Sequence, residues 1–355
     1  MHQHCRVLCA ASALMLFNGC STPDNAGGTT DTLQAPNVSL DAAGATFPYP
    51  LYTRWFSRFA AGGDARINYR AVGSGSGVLA LLEGTVDFAA TDAPLDATMR
   101  SRLMEKGVRL VPLTVGGVAV TYHLPDITRQ LRLDGSTLAD IFLGRIVTWN
   151  DPRLSSLNPD IVLPAEPIVV VTRVDTSGTS WILTDYLTRV SADWAASPGR
   201  STHPRWPLGR PLRGNEGVAS EVKASAYSIG VVEAVYAIQN HLPLARMRNH
   251  AGAWVSPQTG SLRAAASAMV GSMDDTVEFS GSITDPPGEL SYPIASLSWL
   301  IVPTHGRDAA RAAATTRFIR WALDHGDDDA LALGYAPLPP AIQASLRRTW
   351  GASVP

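Results

Sequence analysis

The sequence predicts an α/β protein of two domains built on parallel sheet, and three observations carry that expectation. β-Branched runs alternate with segments whose apolar residues recur every three or four positions, the strand–helix–strand order that returns each strand parallel to the last. The alternation appears twice, between residues 40 and 90 and again between 137 and 232. Finally, 355 residues exceed one typical domain, and 45% hydrophobic with 17% charged residues can bury a sizeable core.

Before the first strand the chain is of another kind. Cys5, Cys9 and Cys20, all three cysteines, lie in the first twenty residues around an apolar run from Val7 to Phe17 that follows Arg6. Residues 1–20 read as a secretory signal. Gly19-Cys20 is similar to the end of a bacterial lipobox, so Cys20 is the candidate lipidation site. Residues 21–37 are polar and Gly-rich without periodicity, the composition of a flexible tether. A mature chain starting at Cys20 would carry no disulfide, and no later apolar run approaches membrane-spanning length. The expectation is a lipid-anchored protein of the periplasm. A net charge of −2 and pI near 6.4 leave no global basic field, which excludes nucleic acid as a partner and makes any anion affinity local.

From Leu40 to Phe47 a short strand and turn are expected, then a helix begun by Pro48 and Pro50 and continued by Tyr52, Trp55, Phe56 and Phe59. A strand (66–72), a Gly/Ser turn (73–77), a helix (78–83) and a strand (86–90) follow. Asp96 can cap the next helix; 108–113 and 118–122 read as two further strands, the second crossing between domains. Beyond them come a helix (137–143), a strand (167–172), a helix (179–190), a helix (218–224) and a strand (229–232). Segments 150–164 and 197–217 are rich in Pro, Gly and Asn and read as surface loops. A strand (295–302) precedes a helix over 307–323, and Pro337 to Pro340 break the chain before a final helix.

Three of these junctions have the chemistry of an anion cradle, in which free amides and hydroxyls at a helix start face a negative ligand. At Arg173-Val174-Asp175-Thr176-Ser177-Gly178-Thr179-Ser180 a cation ends a strand, and Ser177 or Thr176 caps the helix that follows. Arg173 can clamp an oxyanion with its planar fork, and Asp175 can orient it. Thr46-Phe47-Pro48 and Gly73-Ser74-Gly75-Ser76-Gly77 are two more such junctions, and taken singly each reads first as a plain cap or a tight turn. The glycine segment lacks both the P-loop lysine and dinucleotide spacing. Asp92, before Ala93-Pro94, reads either as a turn residue or as something sharper. An ionised carboxylate only accepts hydrogen bonds, so beside a cradle it selects an anion that still carries a proton, as phosphate does and sulfate does not.

Catalytic signals are weak. Gly75 occupies the central position that a serine nucleophile would need, Ser177 has no neighbouring His or Lys, and the histidines lack metal spacing. Asp324, Asp327, Asp328 and Asp329 around Gly326 read as a solvated loop.

Taken together, GATFPYPLYTRW, NYRAVGSGSG, VDFAATDAPL, RVDTSGTSWILTDYL, GNEGVASEV and SIGVVEAVYAIQN resemble, in this order from about Gly44 to Leu338, the periplasmic phosphate-binding proteins (PstS) of bacterial phosphate ABC importers. The resemblance implies a two-domain α/β clamshell of substrate-binding type, with residues 38–120 plus 298–355 as one lobe, 121–297 as the other, and phosphate in the cleft between them. It implies that Thr46, Phe47, Ser74, Asp92, Arg173, Ser177, Gly178 and Thr179 bind phosphate, that Asp92 accepts its proton, and that Asp175 pairs with Arg173. It implies a monomer without enzymatic activity, cofactor or metal, partnered by the importer's permease and ATPase. Where many relatives carry Arg, Gly and Ser-Gly, this chain has Thr172, Thr176 and Gly75-Ser76. The residues alone leave open another oxyanion such as sulfate or molybdate, a serine-dependent phosphoesterase or hydrolase, or a phosphate sensor.

Overall fold

The computed structural model describes residues 38–272, 281–305 and 308–351. The expected signal segment, Cys20 and the tether lie outside them.

The strands are β1 (Ser39–Gly44), β2 (Arg66–Ala71), β3 (Phe88–Thr91), β4 (Val108–His123), β5 (Arg132–Leu133), β6 (Val169–Arg173), β7 (Arg210–Leu212), β8 (Ser228–Glu233), β9 (Arg246–Arg248), β10 (Trp254–Val255) and β11 (Ala295–Pro303). Eight of them form one sheet in the order β2-β1-β3-β11-β4-β8-β6-β7, and β10-β9-β5 form a small second sheet. The expected parallel pairing holds in two blocks, β2-β1-β3 and β8-β6-β7. Between them β11 and β4 run antiparallel to their neighbours, so the sheet as a whole is mixed.

β4 corrects the reading of 108–113 and 118–122 as separate strands. It is continuous because Thr114 to Gly117, between the two expected strands, is paired with Ala295–Ser298 of β11. The glycine at 116 serves a close approach: a Cβ there would lie 2.3 Å from Cε1 of the Phe47 ring. Residues 108–117 of β4 pair with β11 and residues 118–123 with β8, so one strand belongs to both blocks.

Helices cover the sheet where apolar periodicity placed them. The helix Tyr49–Ala61 starts behind Pro48 and buries Tyr52, Trp55, Phe56 and Phe59. Phe56 and Phe59 meet Phe318 of the helix Ala309–His325 at ring-centroid distances of 5.1 and 5.4 Å. Aromatic pairs of this kind add about 0.5–1.5 kcal/mol beyond their buried area. The end of the chain therefore anchors the helix whose start forms part of the site.

Several boundaries differ from expectation. The helix expected over 78–83 spans Ser74–Leu82, with Gly73 at φ 94° bringing the chain into it, so the Gly/Ser turn is itself the first helical turn. The helix expected from Val218 spans Gly214–Ala224. The expected loops hold regular structure as well: Pro152–Leu157 is a helix capped by Asp151, and β7 lies within 197–217. The acidic group around Gly326 is no solvated loop, because Asp327–Leu333 is helical and buried Asp329 pairs with Arg54 and Arg58 at 2.7 and 2.6 Å.

Candidate functional site

The C-terminal ends of β1, β3 and β6 point to one place, the position where open α/β sheets bind ligands. Thr46 and Phe47 follow β1, Asp92 follows β3, and Arg173 ends β6. All four are buried.

Thr46 and Phe47 make the turn into the helix Tyr49–Ala61. Their carbonyls are held from elsewhere, Thr46 O by the Tyr236 hydroxyl at 2.5 Å and Phe47 O by the Tyr335 hydroxyl at 2.7 Å. The turn is thereby fixed, and the Phe47 N–H meets no acceptor among the described residues.

Asp92 is 1% exposed. Its Oδ1 accepts the Ser298 hydroxyl at 2.7 Å, and its Oδ2 stands 3.5 Å from the Ser74 hydroxyl. Burial raises its pKa from 3.8 to about 7, against the lowering by the Ser298 bond, the Arg173 charge and the Ser74 bond. Such a carboxyl can take up or release a proton near neutral pH.

Arg173 is 2% exposed. Its Nε donates to Asp175 Oδ1 at 2.8 Å and its Nη2 to Asp175 Oδ2, while Nη1 is buried without a partner. Asp175 also accepts the Gly214 N–H at 3.2 Å. Burial acts to raise the Asp175 pKa, but pairing with Arg173 outweighs it and the net shift is downward, so the carboxylate stays ionised and aims the guanidinium.

Ser177 caps the helix Gly178–Val190 by accepting the Ser180 N–H at 3.2 Å, which leaves its own proton free to donate. The amides of Gly178 and Thr179 open that helix and have no intrahelical acceptor. Gly178 faces Asp92 so closely that a Cβ would lie 2.7 Å from Ser74 Oγ and 2.8 Å from Asp92 Oδ2. A second contact closes the same space: the Gly75 N–H donates to Thr176 O at 3.3 Å, and a Cβ on Gly75 would fall 2.2 Å from Thr176 Cγ2. Ser76 is exposed, on the far side of this helical turn.

All eight predicted binding residues are thus gathered at the converging strand ends. Their assembly offers amide and hydroxyl donors, one unpaired guanidinium nitrogen and one carboxylate among buried side chains, the requirements for a partly protonated oxyanion. Four neighbours escaped the sequence reading. Asn215, Tyr236 and Tyr335 hold Thr46 and Phe47, and Ser298 of β11 holds Asp92. Only Asn215 left a local signal, a buried polar residue in the Gly-Asn-Glu-Gly that opens a helix.

The sequence profile described as "PBP superfamily domain" matches residues 26–325. Phosphate-binding protein PstS of Xylella fastidiosa is 39% identical over 318 residues, covering 89% of this chain and 86% of its own. Phosphate-binding protein PstS of Methanocaldococcus jannaschii is 34% identical, covering 94% and 90%. In fold the chain is similar to a high-affinity periplasmic phosphate-binding protein solved with phosphate (TM-score 0.71, 23% identity, covering 88% of this chain and 93% of that one) and to the phosphate-binding protein from Stenotrophomonas maltophilia (TM-score 0.70, 19% identity, 88% and 93%). With a profile spanning most of its length and relatives above 30% identity over nearly their whole chains, this protein belongs to the PBP superfamily and, within it, to the PstS family of phosphate-binding proteins.

Proposed function

We propose that this protein binds inorganic phosphate between two lobes and hands it to a membrane importer, without chemistry on the phosphate. The observation that carries the reading is the pairing of Asp92 and Arg173 in one buried space, a carboxylate to accept the ligand's proton and a free Nη1 to meet its charge. Thr46, Phe47, Ser74 and Asp92 stand on the lobe of residues 38–120 plus 298–355, and Arg173, Ser177, Gly178 and Thr179 on the lobe of 121–297. Phosphate touching both favours closure, and β4 and β11 are the strands that cross from one lobe to the other. The names of the relatives support the ligand. A hydrolase is disfavoured because the Ser177 hydroxyl is hydrogen-bonded only to the Ser180 N–H among the described residues and has no base to take its proton. We further propose that the protein is a periplasmic monomer anchored through acylated Cys20. No described helix is long and apolar enough to cross a membrane.

Calorimetric titration with phosphate, arsenate and sulfate tests the reading. Phosphate and arsenate, which both carry a proton, bind tightly and sulfate at least a hundredfold more weakly; equal affinity for sulfate would remove Asp92 as the selector.

A further inference from the structure

We propose that Asn215 is a positioning residue of this site, one amide that makes the hydroxyls of both Thr46 and Thr179 donors to the anion. The inference rests on the phosphate-binding reading above. Asn215 is fully buried at the start of the helix Gly214–Ala224. Its Oδ1 accepts the Glu233 N–H at 3.0 Å, at the end of β8. That bond decides which way round the amide faces, because only its oxygen can accept. Nδ2 then faces the two threonines, 2.9 Å from Thr46 Oγ1 and 3.4 Å from Thr179 Oγ1.

An amide NH2 carries two protons and accepts nothing, so each contact puts a threonine oxygen in the accepting role. Each hydroxyl still has its own proton to place. For Thr46, 5% exposed, Asn215 Nδ2 is the side chain's hydrogen-bond partner among the described residues. For Thr179, 1% exposed, the alternative is Asn215 Oδ1 at 3.5 Å, a distance at the limit of a hydrogen bond and on an oxygen already engaged by Glu233. Both protons are therefore free for the ligand. Thr46 follows β1 and Thr179 opens the helix after β6, so one side chain from a third element sets donors on both walls. It does so only when the walls meet.

The test is a double-mutant cycle read by phosphate titration, using the wild type, Asn215→Leu, Thr46→Val/Thr179→Val and the triple variant. Asn215→Leu weakens binding roughly ten- to a hundredfold in the wild type. In the double-valine protein, where no hydroxyl remains to be aimed, it changes affinity by less than about twofold. If Asn215 only fills space or ties the helix, the same loss appears in both backgrounds and the proposal fails. It fails equally if Asn215→Leu binds like wild type. Should Asn215→Leu not fold, by circular dichroism, Asn215→Ala takes its place in the same cycle: a loss confined to the threonine background supports the proposal, and an equal loss in both overturns it. A wild type that binds no phosphate overturns the functional reading and this inference with it, whereas normal binding without coupling overturns this inference alone.

Discussion

Asp92 is useful to the ligand and harmful to the empty protein. Its folded pKa is raised from 3.8 to about 7, so between about pH 4 and 7 the unfolded chain releases a proton that the empty folded site keeps. The unfolded state then binds fewer protons, and stability falls as pH rises through that window. Asp92→Asn removes the effect: without phosphate its melting temperature at pH 8 exceeds that of the wild type, while at pH 4 the two agree. The same variant loses discrimination against sulfate, which competition titration reads directly. Arg173→Ala weakens phosphate binding by about ten- to a hundredfold or more, the range for a charged hydrogen bond, and leaves ionised Asp175 buried without its partner, so it also lowers the melting temperature. Arg173 was legible in the sequence because cations, hydroxyls and glycines at helix starts announce themselves locally, whereas Asp92 alone reads as readily as a turn residue before proline. Ser298 was not legible, since a serine inside an apolar strand becomes meaningful only when β11 lies beside Asp92.

Among the elements, the helix starts at Ser74 and Gly178 meet through Gly75 and Thr176, so the small residue on one side answers the larger one on the other. Gly75→Ala puts a methyl 2.2 Å from Thr176 Cγ2 and holds the two starts apart. Phosphate affinity drops at least tenfold in calorimetry, and Thr176→Gly restores it in the double variant; independent losses from the two substitutions would show that the contact does not govern closure. The cap at Ser177 and the cap at Asp96 were readable because capping is written within three or four residues. β4 was misread as two strands because the partner that pairs along its middle lies almost two hundred residues further along the chain, and Gly116 within it makes room for the Phe47 ring. The acidic group around Gly326 misled for the same reason: Arg54 and Arg58, which neutralise Asp329, come from the other end of the sequence.

For the whole molecule, a ligand that binds only the folded, closed state must stabilise it in proportion to occupancy. At a phosphate concentration a hundredfold above the dissociation constant the gain is about 2.7 kcal/mol, visible as a melting temperature that climbs with phosphate and not with chloride at equal ionic strength. Small-angle scattering reports the shape: the radius of gyration of the empty protein exceeds that of the phosphate complex, and equal radii would mean that binding does not close the lobes. The alternation of strand and helix made the two parallel blocks predictable. Their fusion into one mixed sheet was not, because strand order across the centre is decided by the return of the chain's end.

That return has a consequence for how the protein comes into being. β3 and β4 are made early, yet the strand that separates them in space, β11, is the last of the described strands to be synthesised. Until it emerges, both flanking strands offer bare edges, and Asp92 lacks Ser298. No nascent chain shorter than about residue 303 contains the finished sheet, so a C-terminal truncation before β11 yields an aggregating product instead of a smaller binding protein.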